Sequence, residues 1–140
     1  MTKRLPVTVG LLAVFLLLMT TGLSCSEEPL PATLGAQFSL SVGQTALIES
    51  EGLKLTFVEV EEDSRCPQGV ECVQAGQVTC RVRVNYKGAV STIYITQPGG
   101  SFISYGTLGN YNVGFRVEPY PEAGKEIAES EYRLLMNVNY

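Results

Sequence analysis

Cysteine and aspartate are scarce in this chain, and they cluster. Three of the four cysteines and the only aspartate, Asp63, fall within EEDSRCPQGVECVQAGQVTC, residues 61–80. Such a set could hold a metal, run redox chemistry, supply a nucleophile, or staple a loop. Cys66 and Cys72 enclose a segment containing Pro67 and Gly69, which turn the chain back and bring the two sulfurs together. The spacing therefore reads as a disulfide. A redox centre is the sharper rival, but such centres favour Cys-x-x-Cys at a helix start, where the dipole lowers a thiol pKa. Zinc would need a fourth ligand beyond Cys66, Cys72 and Cys80, and no histidine exists to give it.

Asp63, Ser64, Arg65 and Pro67 read as a structural turn. Asp and Ser ahead of a turn bond backbone N–H groups, and Arg65 has carboxylates nearby to pair with. The alternative is that Asp63, Ser64 and Arg65 form a site. Glu59, Glu61, Glu62 and Asp63 make an acidic cluster, but calcium takes six to eight oxygens and no loop here supplies that pattern. Cross-strand pairing with Arg81 and Arg83 is the plainer role for these acids.

The absence of histidine removes Ser–His and Cys–His catalysis and all imidazole ligation. No glycine-rich phosphate loop occurs. No residue is assigned to a cofactor, a metal or a catalytic step. The thirteen glutamates leave one catalytic option open, a carboxylate pair of the kind that hydrolyses glycans.

The elements that must position these groups are strands. Short runs of Val, Ile, Thr, Tyr and Phe are broken by Gly, Pro and Asn. Residues 38–42 and 45–49 give two strands around Gly43. Leu53, Leu55 and Phe57 share a face; the phase then shifts at Val58, as a bulge would make it do. In residues 77–86, Val78, Cys80, Val82, Val84 and Tyr86 fall on one face, so Cys80 reads as a buried free thiol. Lys87-Gly88 reads as a hairpin turn into residues 91–97, with Ile93 and Ile95 inward. Phe102–Tyr105 reads as a short strand and Gly106–Asn110 as a turn. Residues 111–117 alternate until Pro119-Tyr120-Pro121 stops the ladder. Residues 122–131 read as a loop, and the last strand, from Tyr132, points Tyr132, Leu134, Met136 and Val138 inward. Together these predict one all-β domain over residues 37–140: an antiparallel β-sandwich or small barrel of seven to eight short strands.

The N-terminus carries Lys3 and Arg4, an apolar run to about Met19, and small residues before Cys25, the layout of an export signal. The run is short for a bilayer-spanning anchor. Thr21-Gly22-Leu23-Ser24-Cys25 resembles a bacterial lipoprotein box. The resemblance implies a signal peptide over residues 1–24, cleavage before Cys25, lipid on that residue, and an extracytoplasmic place in the cell envelope, held to the membrane by acyl chains. Residues 25–36 then read as the lipidated cysteine and a flexible tether. Without Lys3 and Arg4, eight basic residues face fourteen acidic ones, a charge of −6 that argues against nucleic acid as a partner.

Asp63-Ser64-Arg65-Cys66-Pro67, then Gly69-Val70, Cys72-Val73 and Ala75-Gly76, resembles a group of small exported bacterial proteins and lipoproteins, which usually have tryptophan where this chain has Gln74. Pro119-Tyr120-Pro121 and Tyr132 also look like the group's C-terminal pattern. This resemblance brings no activity with it. The functional expectation is a non-catalytic envelope module that binds a protein, glycan or small ligand. The alternative is a glutamate-based hydrolase of envelope or extracellular glycans.

Overall fold

The computed structural model describes residues 28–140. Cys25 and the segment read above as a signal lie outside them. The described residues form nine strands: β1 (Leu30–Ala32), β2 (Gln37–Ser41), β3 (Thr45–Ile48), β4 (Leu53–Asp63), β5 (Gln77–Tyr86), β6 (Ala89–Pro98), β7 (Ser104–Leu108), β8 (Tyr111–Glu118) and β9 (Arg133–Asn139). They make a five-stranded sheet, β1-β3-β4-β5-β6, and a four-stranded sheet, β2-β9-β8-β7. The all-β sandwich expected from the alternation is therefore the observed architecture.

Alternation fills its core. Ile48, Leu53, Leu55 and Phe57 of one sheet form a single cluster with Leu40, Val113, Phe115, Leu134 and Val138 of the other, each at most 5% exposed. Burial of this kind contributes about 25 cal/mol per Å² of apolar surface. Cys80, Val78 and Val82 are fully buried in β5 as their phase required, whereas Tyr86 at the strand end is exposed. The Lys87-Gly88 hairpin has φ of 49° and 91°, the positive pair that a two-residue turn needs to match strand twist.

Three details differ from expectation. Leu30–Ala32 is not tether: it pairs with β3, and this is the one parallel ladder among the described strands. Three residues gave too short a run to show a period, and Pro31 argued against a strand. β7 begins later and ends later than predicted, because Gly106 and Thr107 stay in register with Val113 and Asn112, leaving Gly109-Asn110 as the turn. Finally, β4 has two register shifts rather than one, between Phe57 and Glu59 and between Val60 and Glu62.

Candidate functional site

The second shift in β4 decides where the aspartate goes. Directly opposed residues of an antiparallel pair point to the same face. Val60 lies opposite Cys80 and Asp63 opposite Val78, both inward positions, while Glu62 lies opposite Thr79. Without the second shift Asp63 would face solvent beside Glu59 and Glu61. Instead it turns toward the end of the core, and the four-acid cluster is divided. Glu59 and Glu61 stay outside, both paired with Arg81. Arg83 lies opposite Thr56 and Thr92. Among the described residues no group of acids is placed to hold a metal ion.

Asp63 receives Arg65. Its Oδ1 accepts from Arg65 Nε at 2.8 Å and its Oδ2 from Arg65 Nη2 at 2.5 Å. Oδ2 also accepts from the Tyr132 hydroxyl at 3.0 Å. Arg65 then reaches across the sandwich. Its Nη1 donates to the Val117 carbonyl at 3.0 Å and its Nη2 to the Pro119 carbonyl at 2.9 Å. The guanidinium also lies 5.0 Å from the Tyr120 ring centroid. A planar fork with five donors suits this joining of carboxylate and carbonyls, which an ammonium could not match. The Arg65 side chain is 0% exposed and that of Asp63 9%. Burial alone would raise the Asp63 pKa, but the bonds from Arg65 and Tyr132 outweigh it and hold the carboxyl below its ordinary value. The same burial, with Asp63 beside it, pushes Tyr132 up to about 12.

The neighbouring loops are stacked by backbone. Ser64 N–H donates to the Gln77 carbonyl at 2.8 Å, Cys66 N–H to Ala75 at 2.9 Å, and Gly99 N–H to Gly76 at 2.8 Å. A side chain at Gly76 would stand 1.8 Å from the Ser64 carbonyl oxygen, so only glycine lets these segments approach. Cys66 and Cys72 lie at disulfide distance, with Cα atoms 5.9 Å apart. Pro67, directly after Cys66, starts the loop between them. Cys80 is free and buried, and burial pushes its thiol up to about 12, far from the thiolate that reactivity requires. Asp63 and Arg65 are thus brought together as a lock between β4 and the end of β8, with all three guanidinium nitrogens and both carboxylate oxygens bonded; Ser64 bonds Gln77, and Pro67 follows in the cysteine loop.

A second region is open. On the outer face of the four-stranded sheet, Tyr105 lies opposite Gly114, and Gly114 opposite Asn137, which in turn faces Gln37. A neighbouring row sets Asn112 opposite Asn139. Tyr105 is 81% exposed and Phe102 75%. Together these residues line a depression of about 430 Å³. Its one ionisable group besides tyrosine is Arg116, which pairs with Glu118 at 2.6 Å and lies 4.6 Å from the Phe102 ring centroid.

At the Lys87–Gly88 hairpin a third cleft, of about 460 Å³, includes Glu51, Tyr86, Tyr111 and Tyr140. The Tyr111 hydroxyl donates to Glu51 Oε2 at 2.6 Å. Hydrogen bonds from Tyr111 and Tyr140 hold the Glu51 carboxyl below its ordinary value, and the same bonds raise both phenols. Lys87 sits 5.0 Å over the Tyr86 ring. The tyrosine rings occupy one another, with centroids 5.5 and 6.4 Å apart.

Sequence reading pointed to residues 63–72 and missed the open face. One signal was present: once Tyr111, Val113, Phe115 and Val117 are assigned inward, Asn112, Gly114 and Arg116 must face out. A strand glycine at an outward position marks a close approach. No protein-family model, curated protein or solved structure matches the chain.

Proposed function

We propose that this chain is a lipid-anchored, non-catalytic binding module of the cell envelope, held to its membrane through Cys25 and engaging its ligand on the outer face of the four-stranded sheet. The observation that carries the binding role is the depression beside Tyr105 and Phe102: exposed rings and amide groups surround a space whose only cation is already paired. Exposed aromatics in a concave, mostly uncharged surface favour recognition. The carboxylates lining the depression next to it have other employment. Glu118 pairs with Arg116, and Glu131 accepts from the Ala128 N–H at 2.7 Å. The anchor rests on Lys3, Arg4, the apolar run and Ser24-Cys25 in the sequence.

Replacing Cys25 with alanine tests the anchor. The variant is expected to accumulate unprocessed or to leave the detergent phase on phase separation. Unchanged processing and unchanged partition would overturn it. For the binding role, a photo-reactive group installed at position 105 of the full chain is expected to capture an envelope component in intact cells, while one at Tyr94, on the opposite sheet, captures none. Equal labelling from both positions would remove the assignment to this face.

A further inference from the structure

Gly114 is not demanded by its backbone. Its φ is not positive, and it sits mid-strand in β8, where glycine weakens a ladder by leaving nothing to pack. The ring of Tyr105 lies across it, close enough that a Cβ would just touch the ring and a larger side chain would displace it. A Cβ at this position would stand 3.4 and 3.6 Å from two Tyr105 ring carbons and 3.9 Å from Ile103. The ring therefore lies against the sheet across Gly114 instead of standing away from it, yet the residue remains 81% exposed. A ring laid down in this way offers a flat apolar surface to solvent.

The groups around that surface are amides. Gln37, Asn112, Asn137 and Asn139 share the depression with it. Asn137 Nδ2 donates to the Gly35 carbonyl at 2.9 Å, and its Oδ1 accepts from Asn139, so the pair is set in place by the protein. Amides carry both donors and acceptors, as adjacent sugar hydroxyls do. The flat C–H side of a pyranose ring, in turn, covers an aromatic face and removes apolar area from water. Arg116 would draw an acidic ligand, but Glu118 already neutralises it.

We infer that the outer face of the four-stranded sheet binds a neutral saccharide, with one sugar ring stacked on Tyr105 and its hydroxyls bonded by the amide row. This rests on the binding-module reading and names the ligand class for it. Phe102, beyond Arg116, would cover a second ring of the same chain.

The test uses the full chain purified in detergent, with the hexamers of β-1,4-linked glucose and β-1,4-linked N-acetylglucosamine as probes, and polygalacturonate as the acidic comparison. Binding is measured calorimetrically up to about 5 mM sugar, a range that covers weak single-ring stacking. At least one neutral hexamer is expected to bind. Tyr105→Ala should weaken it about tenfold, the scale of one lost stacking contact. Gly114→Val should do the same with Tyr105 still present, because the new side chain takes the ring's place. Tyr94→Ala should leave binding unchanged. Failure of both hexamers, a preference for polygalacturonate, or indifference to Tyr105→Ala and Gly114→Val would overturn the inference. If a hexamer is bound and shortened, the saccharide site stands and the non-catalytic reading falls.

Discussion

The Asp63–Arg65 lock and the Tyr105 face are built from similar materials and do opposite things. Each joins a polar row to an aromatic ring. In the lock, the carboxylate, the guanidinium and two main-chain carbonyls consume one another's bonding capacity away from water. On the face, the ring and the amide row are left toward solvent. The outer face of the five-stranded sheet also pairs its polar groups, but at the surface: Thr45 bonds Thr56, Thr79 bonds Thr96, and Arg81 pairs with Glu59 and Glu61. Polar groups that exhaust one another's bonding capacity stabilise; the amides of the face, held by single bonds to Gly35 and to each other, keep donors and acceptors for a ligand. Substitutions in the lock should therefore change stability, and substitutions on the face should change only binding.

The largest effect is expected from Arg65→Ala. It strands a buried carboxylate and two carbonyls, and breaking a buried pair costs about 3–5 kcal/mol. Denaturant unfolding measures this; a loss below about 1 kcal/mol would place the pair among surface ion pairs and dissolve the comparison.

Acid should reproduce part of that loss. The Asp63 pKa is lowered in the folded protein. Its contribution is thus complete above the unfolded aspartate value of about 3.9 and disappears as pH falls through the folded one. Asp63→Asn should be less stable at neutral pH and should lose less on acidification. Parallel acid profiles for the two proteins would contradict the assignment.

Reduction of the Cys66–Cys72 link comes next. A loop of this length gives about 2 kcal/mol in the chain-entropy account. Peptide mapping without reductant should find these two cysteines joined and Cys80 free. Cys80→Val, which nearly keeps volume and apolarity, should cost under about 1.5 kcal/mol. Native Cys80 should resist alkylation until unfolding, and rapid labelling would contradict its burial. The smallest effect belongs to the face. Tyr105→Ala should lie within about 0.5 kcal/mol of the parent in unfolding. A large loss there would make Tyr105 a packing residue instead.

Much of this was legible from residue types. The period-two pattern of residues 77–86 and 132–138 named the core of two strands. Pro67 and Gly69 between two cysteines announced the closed loop, and Pro119 and Pro121 marked the end of β8. Arg65 was expected to find a carboxylate, and it found Asp63. Gln97 was missed as an inward residue. It is 1% exposed and bridges the sheets, donating to the Ser101 carbonyl at 2.7 Å and accepting from Val117 N–H at 2.8 Å. Polarity misled there, because a buried amide is acceptable once partnered, and one of its two partners, Val117, comes from the other sheet.

Residue order alone specified most of the strands and inward faces, the loop that a disulfide can close and the chemistry that histidine's absence removes. These follow from local rules: alternation, turn residues and composition act over a few neighbours. Which acid enters the core was settled by strand pairing, because it depends on two register shifts against β5, and a shift of one residue exchanges the faces of everything after it. Pairing likewise decided that Gly114 lies beneath Tyr105, since the two meet only when β7 and β8 pair. Register between strands is fixed by the summed packing of both sheets, and no single segment contains that sum.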